Sequence, residues 1–219
     1  MGIEVMDISR YLRFLFFLLV RLAVLILLGV NVRRKELLPK KGPAIIVANH
    51  NSHLDTLVLI SLLPMRSLAR IHPVAAADYF LTNRYLKWFA THIIGIIPVM
   101  RGAAGKDYDP LKLCGVALAR GDIIILFPEG TRGAPEQISR FKKGIAYLAE
   151  RFPSVPVTPV FMHGLGKALP KGDWILVPFF CDIFVGDHLR FESDKTAFLD
   201  KLNMQFQYLA AQGHFSVWD

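Results

Sequence analysis

A chain of 219 residues, 53% of them hydrophobic, is long enough for one buried core and too short for two comfortable domains. Its mean hydropathy of +0.38 exceeds that of an ordinary soluble domain yet falls short of a bundle of spanning helices. The formal charge of +8 is unevenly placed, and two isolated cysteines, Cys114 and Cys181, without metal-type spacing point to a reducing compartment rather than a disulfide framework.

Residues 1–41 hold eight basic side chains against three acidic ones. A basic stretch fused to an apolar one suits an anionic lipid surface better than nucleic acid, since each Lys or Arg near such a surface contributes roughly 1 kcal/mol. The apolar stretch, YLRFLFFLLVRLAVLILLGVNV at 11–32, is interrupted by Arg21. A central Arg costs about 2.5–3.5 kcal/mol in a spanning helix. At about 100° per residue, Arg10, Arg13, Arg21 and Asn31 share one sector with Phe17, Val24 and Leu28, which leaves a wide apolar face for lipid. The expectation is a helix embedded in one leaflet, with a true span as the alternative. No small-x-small cleavage site follows the apolar run, which argues against a signal peptide. The basic cluster after it places the rest of the chain on the cytoplasmic face of an inner or plasma membrane. Residues 1–38 are thus expected as a helical membrane anchor and 39–219 as the folded domain.

Beyond Pro39, short β-branched runs alternate with longer helical stretches. Strands are predicted at 44–48, 73–76, 93–99, 122–127, 155–162 and 177–186, and helices at 54–63, 78–91, 109–119, 142–151 and 194–211. The alternation predicts an α/β fold with a mixed, largely parallel sheet flanked by helices. Ligands of such folds sit beyond the carboxyl ends of the strands.

The unusual polar residues fall at those ends. In AIIVANHNSHLDT, His50 and Asp55 are five apart, about 140° on a single helical wheel, and cannot meet on one helix. They meet if His50 lies in the turn after the strand and Asp55 in the first turn of the next helix, where a carboxylate would fix the ring tautomer and leave a base. Asp55 also suits a plain capping role after Ser52, and His53 reads as a half-exposed first-turn histidine. A competing possibility is a metal site from His50, His53 and Asp55, as in a hydrolase, although no further ligand cluster accompanies them. The run GDIIILFPEGTR ends a strand in Glu129, Gly130, Thr131 and Arg132, and Lys142 follows at a helix start. GIIPVMR ends another in Arg101. Arginines at two strand ends, with helix-start amides, suit capture of a phosphate. Backbone N–H groups around Gly130 and Thr131 are candidate donors to an oxyanion. VPVTPV at 155–160 is expected to be structural, shaping a groove.

NHNSHLD, GIIPVMR, FPEGTR and VPVTPV, in that order over 49–160, resemble the four sequence blocks of the glycerolipid acyltransferase family, typified by 1-acyl-glycerol-3-phosphate (lysophosphatidate) acyltransferase. A departure is Gly133, where many members have serine. The resemblance implies a mixed-sheet acyltransferase domain on an N-terminal helical membrane anchor, as is usual in bacterial members. It implies His50 as general base, Asp55 as its orienting partner, and Arg101, Glu129, Gly130 and Arg132 around the acceptor phosphate and glycerol. It further implies acyl-CoA or acyl carrier protein as co-substrate, a lysophospholipid acceptor in membrane lipid, no other cofactor, no metal and no nucleic-acid partner.

Overall fold

Unbroken apolar runs make the centre of the sheet. The computed structural model describes residues 2–80, 83–100, 108–131, 133, 138–168 and 179–213. Strands β1 (Gly29–Arg33), β2 (Ala44–Ala48), β3 (Ile71–Ala76), β4 (Ile97–Val99), β5 (Ile123–Leu126), β6 (Val157–His163) and β7 (Phe180–Val185) form one sheet in the order β1-β7-β6-β2-β5-β3-β4. All neighbouring pairs are parallel except β6 and β7. The sheet is thus mixed and largely parallel, as predicted.

Alternate side chains of the central strands feed two cores. Ala44, Ile46, Ile123 and Ile125 pack under α1 (Gly2–Leu27) and α2 (Leu54–Leu62). Ile45, Val47, Ile124 and Leu126 pack under α5 (Lys112–Ala119), α6 (Gly144–Arg151) and α8 (Lys195–Ala211). Burial on both faces explains why β2 and β5 read as continuous apolar runs rather than alternating ones.

Four expectations need correction. Residues 29–33, expected within the helical anchor, form the edge strand β1 beside β7. Gly29 weakens the helix, and Val30 and Val32 alternate with Asn31 and Arg33 at strand period. The single helix expected at 78–91 is instead α3 (Ala77–Phe80) and α4 (Arg84–Trp88), the latter running into a π-helical turn, Phe89–Ile94. Asn83 starts the second piece, its side-chain oxygen accepting from Tyr85 N–H at 2.8 Å. That π-helical turn, closed by Gly95 at φ +76°, also takes the first residues of the strand expected at 93–99. Finally, VPVTPV is not among the described residues lining the cleft below, since β6 lies between β2 and β7. Pro159 precedes the β6–β7 ladder, which begins at Val160, and its carbonyl accepts from Gly186 N–H at 2.8 Å, so its missing N–H interrupts no pairing there.

The sector of α1 that carries Arg13 faces the domain. Phe17, Val24 and Leu28 are buried under it, each contributing roughly 1.5–3 kcal/mol. Arg13 goes in with them. Its guanidinium donates to the carbonyls of Ile71 at 2.7 Å and Ile94 at 3.1 Å, tying α1 to β3 and to the π-helical turn. Burial lowers its pKa to about 10. The opposite face of α1 carries exposed Leu15, Leu19, Leu22, Leu25 and Ile26. Among the described residues no helix is long and apolar enough to cross a membrane.

Arg13→Ala leaves two carbonyls without their donor, and the expected loss is about 2–4 kcal/mol. In detergent solution this should lower the melting temperature by roughly 5 °C or more. An unchanged melting temperature would show that α1 is held by its apolar contacts alone.

Candidate active site

The sheet order puts the carboxyl ends of β2, β5, β3 and β4 in a row, because these four strands are adjacent and parallel. His50 follows β2, the 127–131 turn follows β5, and a cleft of about 710 Å³ opens beside them. His50, Gly130, Thr131 and Lys142 line it at one side, and Phe16, Leu57, Phe89 and Ile94 are among its apolar walls.

Asp55 gathers the first turn of α2 around itself. Its Oδ2 accepts from His50 Nδ1 at 2.9 Å, Asn51 N–H at 2.7 Å and Ser52 N–H at 2.8 Å. The carboxylate is 1% exposed, and its Oδ1 has no hydrogen-bond partner among the described residues. Ser52 Oγ accepts from Leu54 N–H at 3.2 Å, so the capping role and the histidine contact coexist in one motif. Since a carboxylate only accepts, Nδ1 of a neutral His50 carries the proton and Nε2 carries the lone pair. The imidazole stacks on Phe127 at 4.2 Å between ring centres, and the two planes lie 24° apart.

The backbone of His50 is fixed as firmly as its ring. Its N–H donates to Glu129 Oε1 at 3.0 Å, and its carbonyl accepts from Gly133 N–H at 3.0 Å. Glu129 Oε2 accepts from Ser139 N–H at 3.3 Å, so both oxygens of this buried carboxylate engage backbone amides. Burial raises the Glu129 pKa above the usual range, against the pull of those amides. Asn49, one residue upstream, continues the β2–β6 ladder with its side chain, which accepts from Met162 N–H at 2.7 Å and donates to Met162 O at 2.8 Å.

Gly130 sits at φ +72°, and a Cβ there would approach Lys142 Nζ to 2.6 Å. The positive φ favours glycine here, and the flexible end of Lys142 folds over the turn. The Gly130 N–H donates to Phe127 O at 3.1 Å, which removes it from the expected oxyanion donors. Lys142 N–H closes on Pro128 O at 2.8 Å, just before α6 begins. His53 is exposed in the first turn of α2 and reaches the cleft wall. The metal alternative is not met, since among the described residues no three His, Cys, Asp or Glu side chains are grouped to hold an ion. Asp55 Oδ2 is moreover surrounded by donors, the opposite of a cation's requirement. Arg101 and Arg132 lie outside the described residues.

Sequence reasoning passed over Phe127, Asn49 and the two aromatic wall residues Phe16 and Phe89. An aromatic residue immediately before Pro-Glu-Gly, and an asparagine ending a buried strand, were the available signals.

The fold and this arrangement define an acyltransferase-type α/β domain, and comparison with known proteins agrees. The family described as Acyltransferase matches residues 29–163, so the chain belongs to the acyltransferase family. The chloroplastic 1-acyl-sn-glycerol-3-phosphate acyltransferase of Arabidopsis thaliana is 31% identical over 144 residues, which cover 65% of this chain and 38% of that protein. The human 1-acyl-sn-glycerol-3-phosphate acyltransferase alpha is 30% identical over 139 residues, covering 61% and 45% respectively. The chain therefore spans less than half the length of these curated relatives. The crystal structure of the 1-acyl-sn-glycerophosphate (LPA) acyltransferase PlsC from Thermotoga maritima superposes with a TM-score of 0.75 over 96% of this chain and 83% of that one, at 20% identity. That likeness is one of fold.

The raised pKa of Glu129 has a sign that can be measured. With the folded value above the unfolded one, its contribution to stability is complete below about pH 4, the ordinary glutamate value, and is lost as pH rises through the folded pKa. The melting temperature of the unaltered protein minus that of Glu129→Gln should therefore be largest at acid pH and shrink toward neutrality. A difference that grows with pH would reverse the assigned direction.

Proposed function

We propose that the chain transfers a fatty acyl group from a thioester to a free hydroxyl of a lysophospholipid, 1-acyl-glycerol-3-phosphate being the preferred acceptor and phosphatidate the product. The observation that carries this is the 2.9 Å contact between His50 Nδ1 and buried Asp55 at the edge of a cleft whose walls include Phe16, Leu57, Phe89 and Ile94. A base beside an apolar cleft suits a substrate with one reactive hydroxyl and a long chain. The names of the relatives support the acceptor class.

In this reading His50 Nε2 removes the acceptor's hydroxyl proton as the oxygen attacks the thioester carbonyl. The C–S bond then breaks, and the imidazolium gives its proton to the departing thiolate, which leaves as the free thiol. Asp55 holds the tautomer and stabilises the imidazolium. Lys142 Nζ, held over Gly130, offers a cation for the acceptor phosphate, with Thr131 beside it at the cleft. Arg101 and Arg132 join this anion site from the sequence pattern. Glu129 supports the site from below, since its carboxylate is taken up by the amides of His50 and Ser139. The thiol is coenzyme A or acyl carrier protein.

The exposed apolar face of α1 and the basic residues after it favour a helix lying in one leaflet at the cytoplasmic face of a membrane, with the acyltransferase domain seated on it.

Release of free thiol from an acyl thioester, with and without lysophosphatidate, tests the reading. His50→Ala should lower acceptor-dependent release by about 10²-fold or more while the folded state persists, and Asp55→Asn should do nearly the same. Near-normal turnover in His50→Ala would discard the mechanism. Lys142→Ala should instead raise acceptor KM by roughly tenfold with kcat little changed. An acceptor KM that stays put removes Lys142 from the phosphate site.

A further inference from the structure

The break at Asn83 turns the chain into a short amphipathic piece, residues 84–92, that no catalytic role accounts for. Tyr85 is 72% exposed and Trp88 43%, with Leu86 and Phe89 partly exposed beside them. Contiguous exposed aromatic surface of this kind is uncommon on a protein bounded by water alone. Basic groups lie among these rings. The Arg84 guanidinium sits 5.0 Å above the Tyr85 ring, Lys87 is exposed, and His92 stacks on Trp88 at 5.4 Å. The stretch RYLKWFATH contains no acidic residue.

The piece is continuous with α1 and with the cleft. Phe89 meets Phe16 of α1 edge-on at 5.3 Å, and both rings wall the cleft. Leu12 and Leu19, one turn to either side of Phe16 on the same helical face, are exposed. One apolar surface thus runs from α1 across Phe16 and Phe89 to Trp88 and Tyr85.

We propose that residues 84–92 are a second membrane-contacting element, with Tyr85, Leu86 and Trp88 entering the interface of an anionic bilayer and Arg84 and Lys87 pairing with its headgroups. Tyr and Trp carry an apolar body with a polar tip and favour that depth, and the flanking cations match anionic lipid. A second copy of the chain is a poor fit, because a two-fold contact through this piece would set Arg84 and Lys87 against their own copies with no acidic residue in it to offset them. With α1 as the first contact and this piece as the second, the domain has a fixed tilt, and the apolar end of the cleft meets the lipid.

The inference rests on the reading that the acceptor is a membrane lipid, and the experiment separates the two. The purified full chain is floated with vesicles of phosphatidylethanolamine, alone or mixed with phosphatidylglycerol. Tyr85→Ser/Trp88→Ser should bind both kinds about tenfold more weakly, and Arg84→Glu/Lys87→Glu should lose binding chiefly to the anionic mixture. With Trp174 and Trp218 replaced by Phe, the fluorescence of Trp88 should be quenched by brominated lipid. Both double variants should keep the unaltered turnover on a short-chain lysophosphatidate dispersed as monomers. Undiminished vesicle binding by both variants, absent quenching, or a dimer of the unaltered chain that the aromatic variant dissociates would each overturn the proposal. Failure of the unaltered chain to acylate the monomeric acceptor, with vesicle binding behaving as described, overturns the acceptor reading and leaves the lipid contact standing.

Discussion

One carboxylate oxygen organises the reactive end of this protein. Asp55 Oδ2 takes the N–H groups of Asn51 and Ser52 and the Nδ1 proton of His50, and so settles three matters together. It ends the β2 extension, starts α2, and chooses which nitrogen of the imidazole carries a lone pair. The cost of burying that carboxylate is offset by three donors converging on one atom. A helix start and a base oriented toward a cleft are here the same hydrogen-bond pattern.

The rest of the site hangs on sheet order. Because β5 is the parallel neighbour of β2, the 127–131 turn arrives beside His50, where Phe127 stacks on the ring and Glu129 takes the His50 amide. The turn favours glycine at 130 and leaves Lys142 folded over it. A backbone amide and a carboxylate 79 residues apart in sequence are thereby held within hydrogen-bond reach, a proximity that belongs to strand pairing and to no local motif.

Much of this was legible beforehand, for identifiable reasons. The five-residue spacing of His50 and Asp55 excludes a shared helix, so a strand-to-helix turn was the geometry left, and the buried runs at β2 and β5 announced a doubly covered sheet. What escaped prediction depends on long-range partners. Strand β1 was hidden because Gly29 to Arg33 continues an apolar stretch and declares itself only by pairing with β7. Arg13 read only as one member of the mixed sector of α1, since nothing local reveals that two carbonyls from residues 71 and 94 wait for it. The same holds for Glu129, whose place in the FPEGTR turn gives no hint that backbone amides engage both of its oxygens.

The double clamp on the His50 peptide, through Glu129 on one side and Gly133 on the other, divides labour within the molecule. In the proposed mechanism the reacting nitrogen is mounted on the β2–β5 seam, while the cleft's apolar wall draws on β3, on Phe89 and Ile94 between β3 and β4, and on Phe16 of α1. On that mechanism, substitutions in the wall alter which chain fits without moving the atom that reacts. Under the proposed function, such a scaffold can explore new lipids by drift in its periphery, and its chemistry stays insulated from the search.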